Sequence, residues 1–279
     1  TAIGALTTKA IEGYAAQEQL VGGVETLFKT SSDTVVGYAN DAYKTAGMSA
    51  NEYMETVTSF SASLLASMNN DTAAAAEKAN VAITDMSDNA NKMGTDISLI
   101  QNAYNGFAKQ NYTMLDNLKL GYGGTKEEMQ RLLDDASKLS GIKYDISSYS
   151  DVVDAIHVVQ TEMGITGTTA KEASTTIEGS VSSMSSAWDN WVAGMADSEA
   201  NFSQLTSNLV DSIVTVVGNI APRVIETVPR LVSGLGEIVE QLATYIPQVI
   251  QELLPPLMSG VQDLLNTLVG MLPEMISII

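Results

Sequence analysis

All six prolines of this chain fall between Pro222 and Ile279, and they punctuate an internal repeat. PRVIETVPRLVSGLGEIVEQLATYI starts at Pro222, PQVIQELLPPLMSGVQDLLNTLVGML at Pro247, and PEMISII at Pro273. Leu231-Val-Ser-Gly-Leu235 returns as Leu257-Met-Ser-Gly-Val261, which sets a repeat of about 26 residues. One apolar stripe threads all of it, through Val224, Val228, Leu231, Leu235, Ile238 and Leu242, then Val249, Leu253 and Leu257, and on to Ile279. Its mean step is about 3.67 residues, the period of an 11-residue repeat on a nearly straight helix.

Two readings of this stretch stay open. The phase of the stripe survives the prolines, as it would along one extended, kinked helical rod. Against that, each interior proline removes a backbone hydrogen bond and crowds the preceding turn, at about 3 kcal/mol. Short helices starting at Pro222, Pro229, Pro247 and Pro256 are the competing arrangement, with proline at the first helical position. In both cases a wide apolar face with few charges needs cover. Another copy of the chain, another protein or a lipid surface would supply it.

Few aromatics, many small and polar residues and the absence of proline before Pro222 point to an all-α protein. There are 33 acidic against 14 basic residues, a net charge of −19. Binding to nucleic acid depends on neutralising phosphates, so no specific nucleic-acid binding is expected. With no cysteine there is no disulfide, thiolate metal site or cysteine nucleophile. TAIGALTTKAIEGY lacks a charged leader followed by an apolar run, so no signal peptide is expected there. Because the sequence starts on Thr1 and stops inside a repeat unit, it is expected to be a piece of a longer polypeptide. Charges from Arg223 to Asp263 interrupt the tail, and no uncharged apolar run reaches membrane-spanning length.

Three domains are expected: a compact multi-helix module over 1–165, long amphipathic helices over 166–221, and apolar proline-punctuated helical repeats over 222–279. In the first, Ala10–Phe28 reads as a helix interrupted at Gly22-Gly23, and a second runs from Ser31 to Gly47. Ser49-Ala-Asn-Glu52 has capping-box spacing, followed by Tyr53, Val57, Phe60, Leu64 and Met68 on one face. Asn69-Asn-Asp-Thr72 breaks that helix before an alanine-rich one to Met86. Further helices are expected over Ile97–Phe107 and Tyr112–Leu120. Thr125-Lys-Glu-Glu128 is a second capping box, for a helix stopping at Gly141, and another helix spans Ser148–Met163. Thr169-Ala-Lys-Glu172 is a third box. It would open one long element with Ala173, Ile177, Val181, Met184, Trp188, Trp191 and Met195 as its core stripe. Phe202 to Ile220 continues in the same style.

Signals for chemistry are sparse. Gly121-Tyr-Gly-Gly-Thr-Lys126 resembles a phosphate loop but lacks the Gly-Lys-Ser/Thr ending and a preceding strand, and a glycine turn plus a helix cap accounts for it. Asp85, Ser87, Asn89 and Asp96 have calcium-loop spacing, but Ala90 stands where glycine is needed, so a solvated acidic loop is favoured. His157 is the only histidine and cannot build a triad or a two-histidine metal site. A structural histidine is the reading adopted. Trp188 and Trp191 read as packing or subunit contacts. No catalytic, metal or cofactor-binding residue is assigned, and no cofactor and no enzymatic activity are expected.

Several long motifs carry a family likeness. They are Ala46-Gly-Met-Ser-Ala-Asn-Glu-Tyr53, Asp85-Met-Ser-Asp-Asn-Ala-Asn-Lys-Met-Gly-Thr-Asp96, Gln101-Asn-Ala-Tyr-Asn-Gly-Phe-Ala-Lys-Gln-Asn-Tyr112, Asn117-Leu-Lys-Leu-Gly-Tyr-Gly-Gly-Thr-Lys126 and Thr161-Glu-Met-Gly-Ile-Thr-Gly-Thr-Thr169. In this order, over most of Val21 to Ala221, they resemble tape measure proteins from long-tailed phages and prophages of Gram-positive bacteria. The resemblance implies a structural component of the virion, inside the tail tube, that sets tube length during assembly in the host cytoplasm and leaves ahead of DNA at genome ejection. It implies as partners other copies of the chain, the tail tube, tail tip and tail assembly chaperone proteins, with coiled-coil packing between copies. Residues expected to make interactions are Trp188, Trp191, Val224, Leu231, Leu235, Leu242, Val249 and Leu253. In the alternative, the repeats insert into or coat a host membrane and open a passage for DNA. A cell-wall hydrolase would need a paired acid or a metal constellation, which this sequence lacks.

Overall fold

The computed structural model describes residues 2–245, 258–263 and 266. Ten α-helices cover most of 2–245, and there is no strand among the described residues. They are α1 (Ala2–Phe28), α2 (Ser32–Thr45), α3 (Ala50–Ser67), α4 (Thr72–Met93), α5 (Ile97–Phe107), α6 (Lys126–Ser140), α7 (Tyr149–Glu162), α8 (Thr168–Thr175), α9 (Ile177–Gly194) and α10 (Phe202–Tyr245). The all-α class is as the sequence leads one to expect. The chain divides into two units, Thr1–Val216 and Val217–Ile279.

The first unit is a packed helical module, and its helix ends follow from local chemistry. At the start of α3 the Ser49 hydroxyl accepts the Glu52 amide at 3.3 Å while the Glu52 carboxylate accepts the Ser49 amide at 2.8 Å. That is a complete capping box, contributing about 1 kcal/mol. Asp71, Asp96 and Ser148 cap α4, α5 and α7 with their side chains. Gly94 and Gly141 end α4 and α6 in the left-handed conformation that glycine adopts without steric cost.

Other boundaries differ from expectation. α1 runs unbroken through Gly22 and Gly23. The expected helix over Tyr112–Leu120 shrinks to a 3-10 turn at Leu115–Leu118. Just before that turn, the Asn111 side chain captures the amide and hydroxyl of Thr113, offering the backbone a local alternative to a helix. The second capping box is half formed. Thr125 accepts the Glu128 amide, but the Glu128 carboxylate turns instead to the Gly123 amide. The third does not form, because the Thr169 amide is taken by Asp88 and the Glu172 carboxylate by Asn91.

The long element expected from Thr169 to Met195 breaks at Thr176, whose backbone is extended (φ −117°, ψ 156°) and whose hydroxyl caps α9. The corner is tight. A β-carbon on Gly179 would lie 2.4 Å from the Glu172 carbonyl oxygen, so only glycine fits there. α9 also buries a face other than the expected one. Ser180, Ser183, Ser186, Ala187, Val192 and Ala193 point inward, whereas Ile177, Val181 and Trp188 are exposed. Small side chains let the helix approach closely: at its crossing with α1 a β-carbon on Gly13 would stand 3.2 Å from that of Ala193.

One large apolar core joins α1 to α7, with Phe28, Tyr53, Phe60, Ile83, Tyr104, Phe107 and Leu118 among its fully enclosed side chains. The expected stripe of α3 is in it, with Tyr53, Val57, Phe60 and Leu64 all buried. A polar seam crosses the same interior. Asp85, Asp88 and Asn89, one face of α4, are buried. The Asn89 amide donates to the Leu118 carbonyl and to Gln160, and Gln160 donates to the Asp85 carbonyl. Asp88 accepts the amides of Gly167 and Thr169 at 2.6 and 2.7 Å. This carboxylate from a distant helix serves as the N-terminal cap of α8, whose own first position, Gly167, has no side chain to offer.

In the second unit α10 continues to Tyr245 and contains both Pro222 and Pro229. Over this span the competing picture of helices restarting at each proline is not observed. The carbonyl that Pro229 leaves without a donor belongs to Ile225, a residue 72% exposed and open to water. Residues 258–263 are also helical, and Pro247, Pro255, Pro256 and Pro273 lie outside the described residues.

Removing the Asp88 carboxylate takes the cap from the two amides at the start of α8. Asp88→Ala is expected to cost about 2 kcal/mol, since charge-assisted hydrogen bonds contribute about 1.5–3 kcal/mol, and to lower the thermal midpoint by about 4–8 °C. Circular dichroism on heating checks this; an unchanged midpoint would show that α8 does not depend on the bond.

Candidate functional site

The motifs weighed for chemistry prove to be occupied by the fold. In the glycine turn, Gly123 donates its amide to Glu128 and the Gly121 carbonyl accepts from Arg131. Arg131 and that amide together hold the Glu128 carboxyl down to about 2. A protein carboxylate therefore sits where a phosphate would need an amide. Gly124 is there for close approach, because a β-carbon on it would come within 2.3 Å of the Thr113 carbonyl oxygen. The calcium-loop reading fails, and so does the solvated loop favoured over it: Asp85, Ser87 and Asn89 are within α4 and buried against other elements, and Asp96 caps α5 through Ser98. No group of three histidine or acidic side chains among the described residues converges as a metal site.

His157, on α7, places Nδ1 at 3.0 and 2.9 Å from the two carboxylate oxygens of Asp85. Its side chain is 38% exposed, whereas that of Asp85 is buried. The bond to Asp85 raises the histidine above its ordinary range, with partial burial opposing. Burial pushes Asp85 up while the bond to His157 pulls it back. Asp154 and Asp88 add to the negative field on the ring, and Lys78 pairs with Asp154. The histidine is half-buried and paired with an acid of α4. The seam it joins is not visible in the sequence, apart from polar residues at i, i+3 and i+4 in an otherwise alanine-rich helix.

The candidate interaction residues fall into two sets. Trp188 and Trp191 are neighbours on α9, with ring centroids 5.3 Å apart, and Trp191 lies 5.5 Å from Phe202. Trp191 donates Nε1–H to Thr206 at 3.0 Å and packs on a small cluster of Tyr43, Ala187 and Leu209. Trp188 is 43% exposed. The pair thus divides into a packing residue and an outward one. Trp188 also borders a cleft of about 720 Å³, with Asn40, Asp189, Gln204 and Asn208.

The second set lies on α10. Val224 and Leu231 are exposed, as are Ile225, Val232 and Ile238, while Leu235 is half-buried. Leu242 belongs to α10, and Val249 and Leu253 are outside the described residues. Phe202–Ile238, 37 residues whose most apolar 18-residue window has a mean hydropathy of 1.2, is by length and composition able to cross a membrane. A search for an uncharged run passes over it, because Asp211 interrupts it and charges resume at Arg223.

Comparisons with protein-family models, curated proteins and solved structures find no match to this chain.

The His157–Asp85 pair makes stability depend on pH. A histidine raised in the folded state contributes fully below its unfolded value near 6.5, and loses that contribution as pH rises through the folded one. The buried acid, also raised, acts with the same sign. The thermal midpoint is expected to be a few degrees lower at pH 9 than at pH 6, and this difference should shrink in His157→Gln. An equal decline in the variant would show that the His157–Asp85 pair does not set it.

Proposed function

We propose that this chain belongs to a tape measure protein of a long-tailed phage or prophage, a structural component that lies inside the tail tube, sets its length and leaves ahead of DNA. The motif series read from the sequence carries this proposal. The helices support it physically: a chain extended as α-helix rises about 1.5 Å per residue, so its length scales with residue number. α10, with 44 residues passing two prolines, is an element of that kind.

The places taken by the motifs fit a structural role. Ala46–Tyr53 forms the α2–α3 corner with its capping box, Asp85–Asp96 holds the polar seam, and Asn117–Lys126 builds the glycine turn. These side chains are spent on corners and caps, and we assign no catalytic residue and no cofactor. The proposed partners are further copies of the chain and the tail tube, tip and assembly chaperone proteins. Outward Trp188 and the exposed apolar residues of α10 supply the contact surface.

One observation favours a second reading, action on the host membrane. Phe202–Ile238 is apolar enough to enter a bilayer and only 17% of its most apolar window is buried. Co-flotation of the whole chain with liposomes, accompanied by dye release, would support that reading; a soluble oligomer without lipid binding would count against it.

Deleting Pro247–Leu272 from the protein expressed in the particle should shorten tails by about 40 Å, at 1.5 Å per helical residue. Tails of unaltered length in electron micrographs would contradict a ruler role for that stretch. Trp188→Ala should weaken self-association in sedimentation while moving the thermal midpoint little. Trp191→Ala should cost about 2 kcal/mol of stability, because it removes packing against Leu209 and the bond to Thr206.

A further inference from the structure

A second cleft, of about 560 Å³, opens in the first unit between α3, α4, α5 and the α8–α9 corner, with no lysine or arginine in its walls. Glu52, Glu55 and Glu178 give it negative charge, and Gln101, Asn102 and Asn105 add amides along α5. Glu52 spends one oxygen on the Ser49 cap, whereas Glu55 and Glu178 are exposed. Ser87, 5% exposed, and Thr169 line the same cleft. The hydroxyls of both are shut off from water and meet no hydrogen-bond partner. A buried polar group left without a partner costs about 1–3 kcal/mol, so two in one cavity point to a missing guest.

We propose that this cleft binds a lysine- or arginine-bearing extended segment of a partner protein. The three glutamates stand on two elements, Glu52 and Glu55 on α3 and Glu178 on α9, with the amides on α5 lining the same cleft, and they do not converge as a metal site would. Charge spread along a wall suits spaced cations on an extended chain better than one small ion. Amide side chains on α5 match the hydrogen-bonding capacity of peptide backbone, and a change of rotamer would turn the hydroxyls of Ser87 and Thr169, closed off as they stand, toward the same guest. The overall charge of −19 speeds encounter with such a segment, while the local carboxylates select where it stays. This inference stands without the tail reading, since it needs only the first unit's geometry.

The test uses the whole chain and a short fluorescent lysine-serine peptide in near-physiological salt, where loose attraction to an acidic surface is screened. Saturable binding of the peptide is expected. Glu55→Gln with Glu178→Gln should weaken it about tenfold, equivalent to about 1.4 kcal/mol, with an unchanged thermal midpoint. Glu25→Gln with Glu127→Gln, the same charge change at exposed positions outside the cleft, should alter it less than about twofold. The lysine-acetylated peptide should not bind the wild-type chain. Equal losses in the two double variants, binding without saturation, or equal affinity for a free polyamine would overturn the proposal.

Discussion

The seam on α4 is the constraint on which the first unit depends. An apolar core gives this module cohesion but little direction, because hydrophobic contact is roughly proportional to area and tolerates sliding. Asp85, Asp88 and Asn89 remove that freedom. Each is buried, and each has a partner on another element: His157 on α7, the amides that start α8, and Leu118 with Gln160. Shifting α4 by one residue would strand two carboxylates away from water. The cost of burying unpaired charge is what fixes the register of α4 against α7 and α8.

Much of this architecture could be read in the sequence where local chemistry and core packing agree. Ser49 and Glu52 cap each other, and the apolar stripe behind them is the buried face of α3. The same inference fails where a distant group competes. Thr169 and Glu172 have capping-box spacing as good as Ser49 and Glu52, but Asp88 and Asn91 arrive from α4 and take both groups. Spacing alone carries no trace of a competitor some eighty positions away. The polar seam went unseen for the same reason, since acids on a helix otherwise read as solvated.

Periodicity misleads in a different way. The stripe through Ala173, Ile177, Val181, Met184, Trp188, Trp191 and Met195 keeps its phase across Thr176, where the helix nonetheless ends and turns a tight corner at Gly179. At Pro222 and Pro229 the phase is also kept, and there the helix does continue. Preserved phase therefore does not establish continuity. α9 adds that the largest side chains need not mark the inner face: a close crossing favours Ser, Ala and Gly inward and leaves Ile177, Val181 and Trp188 outside. Those side chains are also where α9 has apolar area left to offer.

The seam also bears on how the chain reaches its native state. Its hydrogen bonds to α7 and to the start of α8 join residues 71 to 81 positions apart. Closing loops of that size costs chain entropy before any contact repays it, and topologies rich in such pairs fold slowly. While a ribosome is still making α7 and α8, α4 has no partners for its two acids and its amide, and they stay hydrated. The first unit can consequently consolidate only after Thr169 has emerged, so the order of synthesis, as much as the strength of any contact, governs when the module becomes a solid body.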